Sequence, residues 1–436
     1  MALNRRSFLT MTAIATTLSA VAACGSQDSG QSAGSAGSTS ADGAQDASSG
    51  ATDGAPARDA NADLVIWADE KKAGSLKEIA EKWGKEQGLT VAVQVVAKDT
   101  QDSFVTANQA GNGPDIVLGA HDWIGNLVQN SSIVPVTLSK DAQANFDEVA
   151  LKAVTYDGQT YGVPYAVETL ALYVNKGLTQ VAEPASIEEL VEAGKAAGTD
   201  VVLSLPVGEE GDAYHMQPIF TAGGGYLFGK DSEGAYKADD LGVASEGSIK
   251  AAEMIQQLGS EKVLRKSITN DNAIATFTEG KAPYLISGPW ALADVKKAGI
   301  DYAVAKIPGF KDIEGSQARP FVGVNCFYVA SKGKNRAFAE SFMAEAAKDS
   351  TFAESMFASN ELPPAQKDLS EKLSSSNPEM VTFAKLAAET DPMPAIPAMG
   401  AVWKPLGQAQ ANVIDGADPT STMTSAADEI KKNITS

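Results

Sequence analysis

From Leu64 onward the chain alternates short apolar runs with longer stretches in which apolar residues recur every three or four positions. Leu64-Val65-Ile66-Trp67 reads as a strand, and Leu76, Ile79, Ala80 and Trp83 then share one helical face that Gly88 brings to an end. Thr90 to Ala97 alternates as a strand, a polar helix-like stretch reaches Asn112, Pro114 to Leu118 forms a third strand, and Ile124 to Val128 is helical again. Further on, Ser186-Ile187-Glu188-Glu189 has the pattern of a capping box and is followed by the strand-like VVLSL. Ile249, Ala252, Ile255 and Leu258 lie on one helical face expected to stop at Gly259. Ala282 to Ile286 predicts a strand that leads into Ser287-Gly288-Pro289-Trp290, where Pro289 suits the first turn of a helix. This order predicts α/β layers with mostly parallel sheets. Ligands of such sheets sit beyond the carboxyl ends of the strands.

The first 62 residues break the pattern. Asn4-Arg5-Arg6-Ser7-Phe8-Leu9 is basic, Phe8 to Ala23 is apolar with threonines mixed in, and small residues lead to Cys24, which is the layout of an export signal. The apolar stretch is shorter than the roughly 20 residues a membrane-spanning helix needs. Val21-Ala22-Ala23-Cys24 resembles a bacterial lipobox, which implies a signal peptide over 1–23 and acylation of Cys24. Arg5-Arg6 with Ser7-Phe8-Leu9 resembles a twin-arginine signal, and the general export route stays equally open. Residues 24–62 are almost entirely Gly, Ser, Ala, Asp, Gln and Thr, with no aromatic or large aliphatic side chain to offset the entropy of ordering, so they are expected to form a disordered tether. With Cys24 assigned to lipid, Cys326 in FVGVNCFYVA reads as a buried small hydrophobe.

Charge changes the picture by exclusion. The 436 residues hold 35 Lys and Arg against 55 Asp and Glu, a net charge of -20, which argues against binding to a nucleic-acid backbone. Two cysteines and two histidines are too few for zinc fingers, iron–sulfur clusters or a disulfide framework. His121 reads as a hydrogen-bonded residue positioning its loop, because no HxxxH or HxH spacing exists, and His215 lies beside Tyr214. Gly223-Gly224-Gly225 lacks the following lysine of a phosphate loop and reads as a turn. No metal or cofactor is expected.

The strand exits carry the chemistry. Asp69-Glu70-Lys71 follows the first strand, Ala120-His121-Asp122-Trp123 the third, Glu168 the run VPYAV, Asp212-Ala213-Tyr214 a glycine-acid loop, and Trp290 the run YLIS. A single strand-end carboxylate is usually a helix cap; carboxylates and large aromatics at several exits predict a polar, aromatic-walled cleft. That combination suits a carbohydrate, whose hydroxyls donate to carboxylates while its C–H faces pack on rings.

LVIWADEKKAGSL, GNGPDIVLGAHDWIG, YGVPYAVETLALYVNK, FTAGGGYLF, ISGPWA, PFVGVN and MPAIPAMGAVW occur in the order seen in the maltose/maltodextrin-binding proteins of bacterial ABC importers, and the chain resembles that family from about Leu64 to its C-terminus. The resemblance implies a two-lobed periplasmic-binding-protein-like α/β fold of type II, with interleaved lobes at 63–166 plus 327–372 and at 167–326 plus 373–436. It implies that Glu70, Lys71, Asp122, Glu168 and Asp212 meet sugar hydroxyls and that Tyr214, Trp290 and Trp403 form aromatic walls. The family's tryptophan two residues before the histidine of AHD is Gly119 here, and the family's arginine after that motif is Trp123, which is a candidate replacement wall. Lys404 and Gly407 also depart from the family's tyrosine and arginine.

The expected function is capture of maltose or a maltodextrin by a monomeric lipoprotein on the outer face of the cell membrane, for delivery to ABC permease subunits. Trehalose or another disaccharide is an alternative ligand. A secreted glycoside hydrolase and a surface adhesion lipoprotein are the alternatives from other classes, the first because Glu70, Asp122 and Glu168 could supply a pair of acids.

Overall fold

The structure is a computed structural model that describes residues 55–435 apart from residue 233. The export signal, Cys24 and most of the expected tether lie outside the described residues. Nine strands form two main sheets: β1 (Leu64–Ala68), β2 (Val91–Val95), β3 (Ile116–Ala120), β4 (Gly162–Glu168), β5 (Ala171–Asn175), β6 (Leu203–Ser204), β7 (Tyr284–Ser287), β8 (Tyr302–Ala305) and β9 (Gly323–Val329). The first sheet runs β2-β1-β3-β9-β4 and the second β8-β5-β7-β6.

The expectation of mostly parallel sheets is corrected. β1 is parallel to β2 and β3, and β7 to β6, but β9 is antiparallel to β3 and β4, and β5 is antiparallel to β7 and β8. The reason is topological: β9 is reached only after the whole second sheet has been laid down, and it inserts between β3 and β4 of the first. Local periodicity carries no trace of that insertion.

Side-chain alternation divides the second sheet between two cores. Leu172, Val174, Tyr284 and Ile286 face one cluster, and Ala171, Tyr173 and Leu285 face the other, so both faces are covered. The first sheet has its own core, which includes Trp67, Phe104, Phe327, Phe342 and Phe352. Two lobes result, and the chain crosses between them repeatedly. Thr169-Leu170 joins β4 to β5, and Phe321-Val322 returns to β9. A third passage follows the helix Pro378–Ala388, which packs on both β4 and β8. Val322 N–H donates to Asp391 O at 3.0 Å, Met393 N–H to Val322 O at 3.1 Å, and Thr169 Oγ1 to Phe321 O at 2.9 Å, so the crossings are bonded side by side.

The helices form where the spacing predicts them, with two instructive differences. Asp69 caps the helix Glu70–Gln87, which ends at Gly88 in the left-handed region (φ 70°). Ser186 caps Ile187–Ala196 by accepting from Glu189 N–H at 3.2 Å, but Glu189 reaches back to Ala185 N–H, one residue earlier than a capping box requires. Gly259 does not end its helix, which runs from Glu246 to Ser260; a Cβ there would fall 2.5 Å from Ile414 O, so this glycine permits close packing on the helix Trp403–Ile414.

The expected tether boundary also moves. The Arg58 side chain is buried, its Nη2 lying 2.6 Å from Asp115 Oδ2 and its Nη1 donating to Gly113 O at 3.0 Å, while Gln94 Nε2 donates to Ala57 O. The residues just before β1 therefore belong with the body, held by an ion pair that composition alone does not reveal.

Candidate functional site

The carboxyl ends of the strands of the first sheet bring together a charged group. At the end of β1, Asp69 accepts from Lys72 N–H at 3.0 Å, and its Oδ2 lies 2.7 Å from Lys72 Nζ. Glu168 ends β4, and its Oε2 accepts from Asn325 Nδ2 at 3.2 Å. Burial disfavours the charge of Lys72, but the surrounding Tyr165, Asp69 and Glu168 outweigh it and hold the ammonium well above its usual range. Burial raises Glu168, against the opposing pull of Lys72 and Asn325. Glu70 and Lys71, the residues singled out from the sequence, are exposed on the first helical turn. Asp69 and Lys72 flank them in sequence and are the pair that joins Glu168.

After β3 the chain makes a single 3-10 turn, His121–Trp123. His121 is fully buried and bridges the crossings: its Nδ1 accepts from Val324 N–H at 3.1 Å, which leaves Nε2–H to donate to Met393 O at 3.1 Å. Burial lowers its pKa to about 4, so it is a neutral structural pin. Asp122 beside it is pushed up to about 7 by burial, with the charge of Glu168 adding to the effect. The Trp123 ring lies against Gly119, where a Cβ would fall 2.3 Å from Cε3 and Cζ3.

The second lobe repeats this device. After β7, Gly288 leads into the 3-10 turn Pro289–Ala291, and a Cβ on Gly288 would fall 2.1 Å from Cζ3 of Trp290. Trp290 packs against the cores of both lobes. Four rings form a row: Trp290 to Tyr214 at 6.4 Å, Tyr214 to Phe321 at 6.2 Å and stacked, and Phe321 to Trp403 at 5.9 Å edge-on. Tyr214 feels the charges of Glu168, Asp212 and Asp122, and Glu168 feels His215, so the row of the second lobe faces the carboxylates of the first.

Asp212 is engaged within its own lobe. It caps the helix Ala213–Ala222, its Oδ1 accepting from His215 N–H at 2.9 Å, and its Oδ2 lies 2.8 Å from both His215 Nδ1 and Asn270 Nδ2. Burial raises its pKa, but those hydrogen bonds prevail and lower it. Its oxygens are occupied within the lobe, and it orients His215, whose ring meets Trp290 edge-on at 6.0 Å. Sequence reading missed Asp69, Lys72, Tyr165, Asn325 and Phe321. All five lie inside the motif strings quoted above, and Asp69 stands at the first strand exit, but neither string nor exit shows which of a string's residues face the cleft.

Several polar atoms here are buried with no hydrogen-bond partner among the described residues: Asp122 Oδ1, Tyr165 OH and Tyr214 OH. Each such atom costs about 1–3 kcal/mol. They come from both lobes, so hydroxyl-bearing ligand atoms between the lobes would relieve them together. Among the described residues no group of three or more His, Cys, Asp or Glu is placed to hold a metal ion.

Comparison with known proteins agrees with this geometry. The model of the bacterial extracellular solute-binding protein family matches residues 78–382. The chain is 29% identical to the galactooligosaccharide-binding protein of Bacillus subtilis over 85% of its own length and 89% of the relative's. It is 27% identical to a maltooligosaccharide ABC transporter solute-binding lipoprotein of Streptococcus pneumoniae, over 83% of this chain and 86% of that one. A solved cyclo/maltodextrin-binding protein complexed with maltotetraose superposes with a TM-score of 0.71 at 30% identity, covering 85% of this chain and 97% of that one. A row of aromatic rings set across from buried carboxylates, on two lobes joined by bonded crossings, thus sits in a chain that belongs to the bacterial extracellular solute-binding proteins.

Proposed function

We propose that the protein captures an oligosaccharide of hexoses, of the maltose/maltodextrin type, between its lobes and hands it to the permease of an ABC importer, while held at the outer face of the membrane by lipid on Cys24. The observation that carries this reading is the row Trp290–Tyr214–Phe321–Trp403 facing Asp122 and Glu168. Rings take the C–H faces of a pyranose, and charged acceptors hold its hydroxyls at about 1.5–3 kcal/mol for each hydrogen bond. The names of the Streptococcus pneumoniae lipoprotein and of the maltotetraose complex support the ligand class and the anchored setting.

Glu168, Asp122, Lys72 and Tyr214 are the ligand contacts in this account, with Trp123, Trp290 and Trp403 as walls and Asp69 holding Lys72. Glu70, Lys71 and Asp212 drop from direct contact. Sugar binding favours the closed arrangement of the lobes by satisfying atoms that closure alone leaves unpaired; the ligand shifts a population, and no covalent bond changes. The protein acts as a monomer.

One observation favours a hydrolase as the second reading: Asp122 is held near 7 with Glu168 beside it, as a general acid would be. Its cause is burial of a carboxyl whose Oδ1 has no hydrogen-bond partner among the described residues, and an acceptor left for a sugar hydroxyl fits capture better than turnover. Long incubation with maltotetraose, followed by chromatography of the products, separates the two: intact tetrasaccharide supports capture, and released glucose would overturn it.

A further inference from the structure

A cavity of about 440 Å³ lies on the second lobe, outside the cleft, between the helix Ala213–Ala222, the hairpin formed by Phe228–Lys230 and Tyr236–Leu241, and the crossing segment at Thr390, Asp391 and Pro394. Its volume is in the lower part of the range of small-molecule sites. Three features distinguish it from a packing defect.

Tyr226 lines it and is 41% exposed, one of few large apolar side chains so placed among the described residues. Its ring is seated on Gly242, where a Cβ would fall 2.2 Å from Cε2 and 2.4 Å from Cδ2 and Cζ. Trp123 on Gly119 and Trp290 on Gly288 are seated in the same way, so the device that builds both walls of the cleft recurs here with a ring open to solvent. Phe321, the third ring of the cleft row, also lines the cavity and forms a wall common to both. Finally, the helix that presents Tyr214 to the cleft presents Gln217 and Thr221, three and seven residues on and so on the same face, to the cavity. Gln217 is 5% exposed, and its Oε1 has no hydrogen-bond partner among the described residues. Lys230, 2.8 Å from Asp391 Oδ2 and 4.8 Å above the Tyr236 ring, and Arg319 supply donors.

We propose that this cavity is a second carbohydrate pocket, taking one pyranose unit stacked on Tyr226, with its hydroxyls bonded by Gln217, Lys230 and Arg319. The choice of ligand class rests on the carbohydrate reading of the cleft. The pyranose comes either from the far end of an oligosaccharide seated in the cleft or from a separate sugar.

Calorimetry and ligand-observed NMR on the full chain, with maltose and maltohexaose and the variants Tyr226→Ala and Tyr226→Phe, distinguish these sources. A far-end unit predicts that Tyr226→Ala weakens maltohexaose at least fivefold, leaves maltose affinity unchanged, and is rescued by Tyr226→Phe. A separate sugar predicts a weaker second class of maltose site that Tyr226→Ala abolishes and Tyr226→Phe keeps. Tyr226→Ala without effect on either ligand, in a protein of unchanged melting temperature, overturns the proposal. Trp290→Ala reports on the cleft alone, so loss of the cleft reading shows up as unaltered maltose binding in that variant while the Tyr226 results stand.

Discussion

Gly119 and Trp123 are one structural unit: the indole occupies the space that any side chain at position 119 would need, with a Cβ there falling 2.3 Å from two ring carbons. A bulky residue at 119 and the ring of Trp123 exclude each other, so a wall supplied from position 123 requires glycine at 119. Gly119→Ala is expected to displace the ring and weaken oligosaccharide binding at least tenfold, about 1.4 kcal/mol, as Trp123→Ala does. Quenching of tryptophan fluorescence on sugar addition measures both. Unaltered affinity in the two variants removes Trp123 from the site.

Lys72 lies near the carboxylates Asp69 and Glu168, which favour its charge, whereas Lys71 is exposed to solvent. Lys72→Met is expected to weaken binding at least tenfold, because it removes a donor and leaves Glu168 buried without its counter-charge. Lys71→Met and Glu70→Gln are expected to change affinity less than twofold. Titration calorimetry on the three variants gives the ranking directly.

His121 makes stability depend on acid. Burial sets its folded pKa near 4, below the ordinary 6.5, so the unfolded chain binds its proton first as pH falls. Stability from this group is complete above pH 6.5 and is lost progressively down to about pH 4, on the order of 3 kcal/mol in all. Asp122 acts oppositely: its folded pKa of about 7 lies above 3.8, so protonation favours the folded form as pH falls from 7. The histidine effect is therefore expected to emerge clearly in Asp122→Asn, as a decline in urea-unfolding free energy between pH 6.5 and 4, and to be absent from Asp122→Asn combined with His121→Gln.

Arg58 and Asp115 anchor the segment ahead of β1. Asp115 also accepts from Val65 and Asn335 N–H, at 2.8 and 2.9 Å, so part of its charge is compensated without arginine. Arg58→Ala is expected to cost about 3 kcal/mol, and a chain beginning at residue 63 to lose a similar amount relative to one beginning at residue 55. Chemical denaturation of these forms checks both.

The local layer of this fold was legible and the long-range layer was not. Leu76, Ala80 and Trp83 face the core as their spacing requires, Gly88 stops the helix, and Pro289 opens a helical turn. Strand exits pointed to Asp122, Glu168, Tyr214 and Trp290, because the ends of strands in such a sheet sit at its edge whatever the pairing. The insertion of β9 between β3 and β4 is a pairing across about 160 residues to β4 and about 210 to β3, and its consequences, Asn325 beside Glu168 and Val324 on His121, follow from that pairing alone. That Asp69 and Lys72, rather than Glu70 and Lys71, lie near Glu168 has a local cause: the helix begins at Glu70, so its cap and third residue turn inward while the two between face water. Motif alignment registers letters and is blind to that one-turn geometry.

The most direct test is titration calorimetry of the purified chain with maltose, maltotetraose, galactooligosaccharide, trehalose and cellobiose, repeated on Glu168→Ala and Trp290→Ala. One-to-one saturable binding of at least one of these sugars, weakened at least tenfold in each variant, is the predicted result. Binding of none of them, or an affinity that both variants leave unchanged, would contradict the assignment of the cleft as the sugar site.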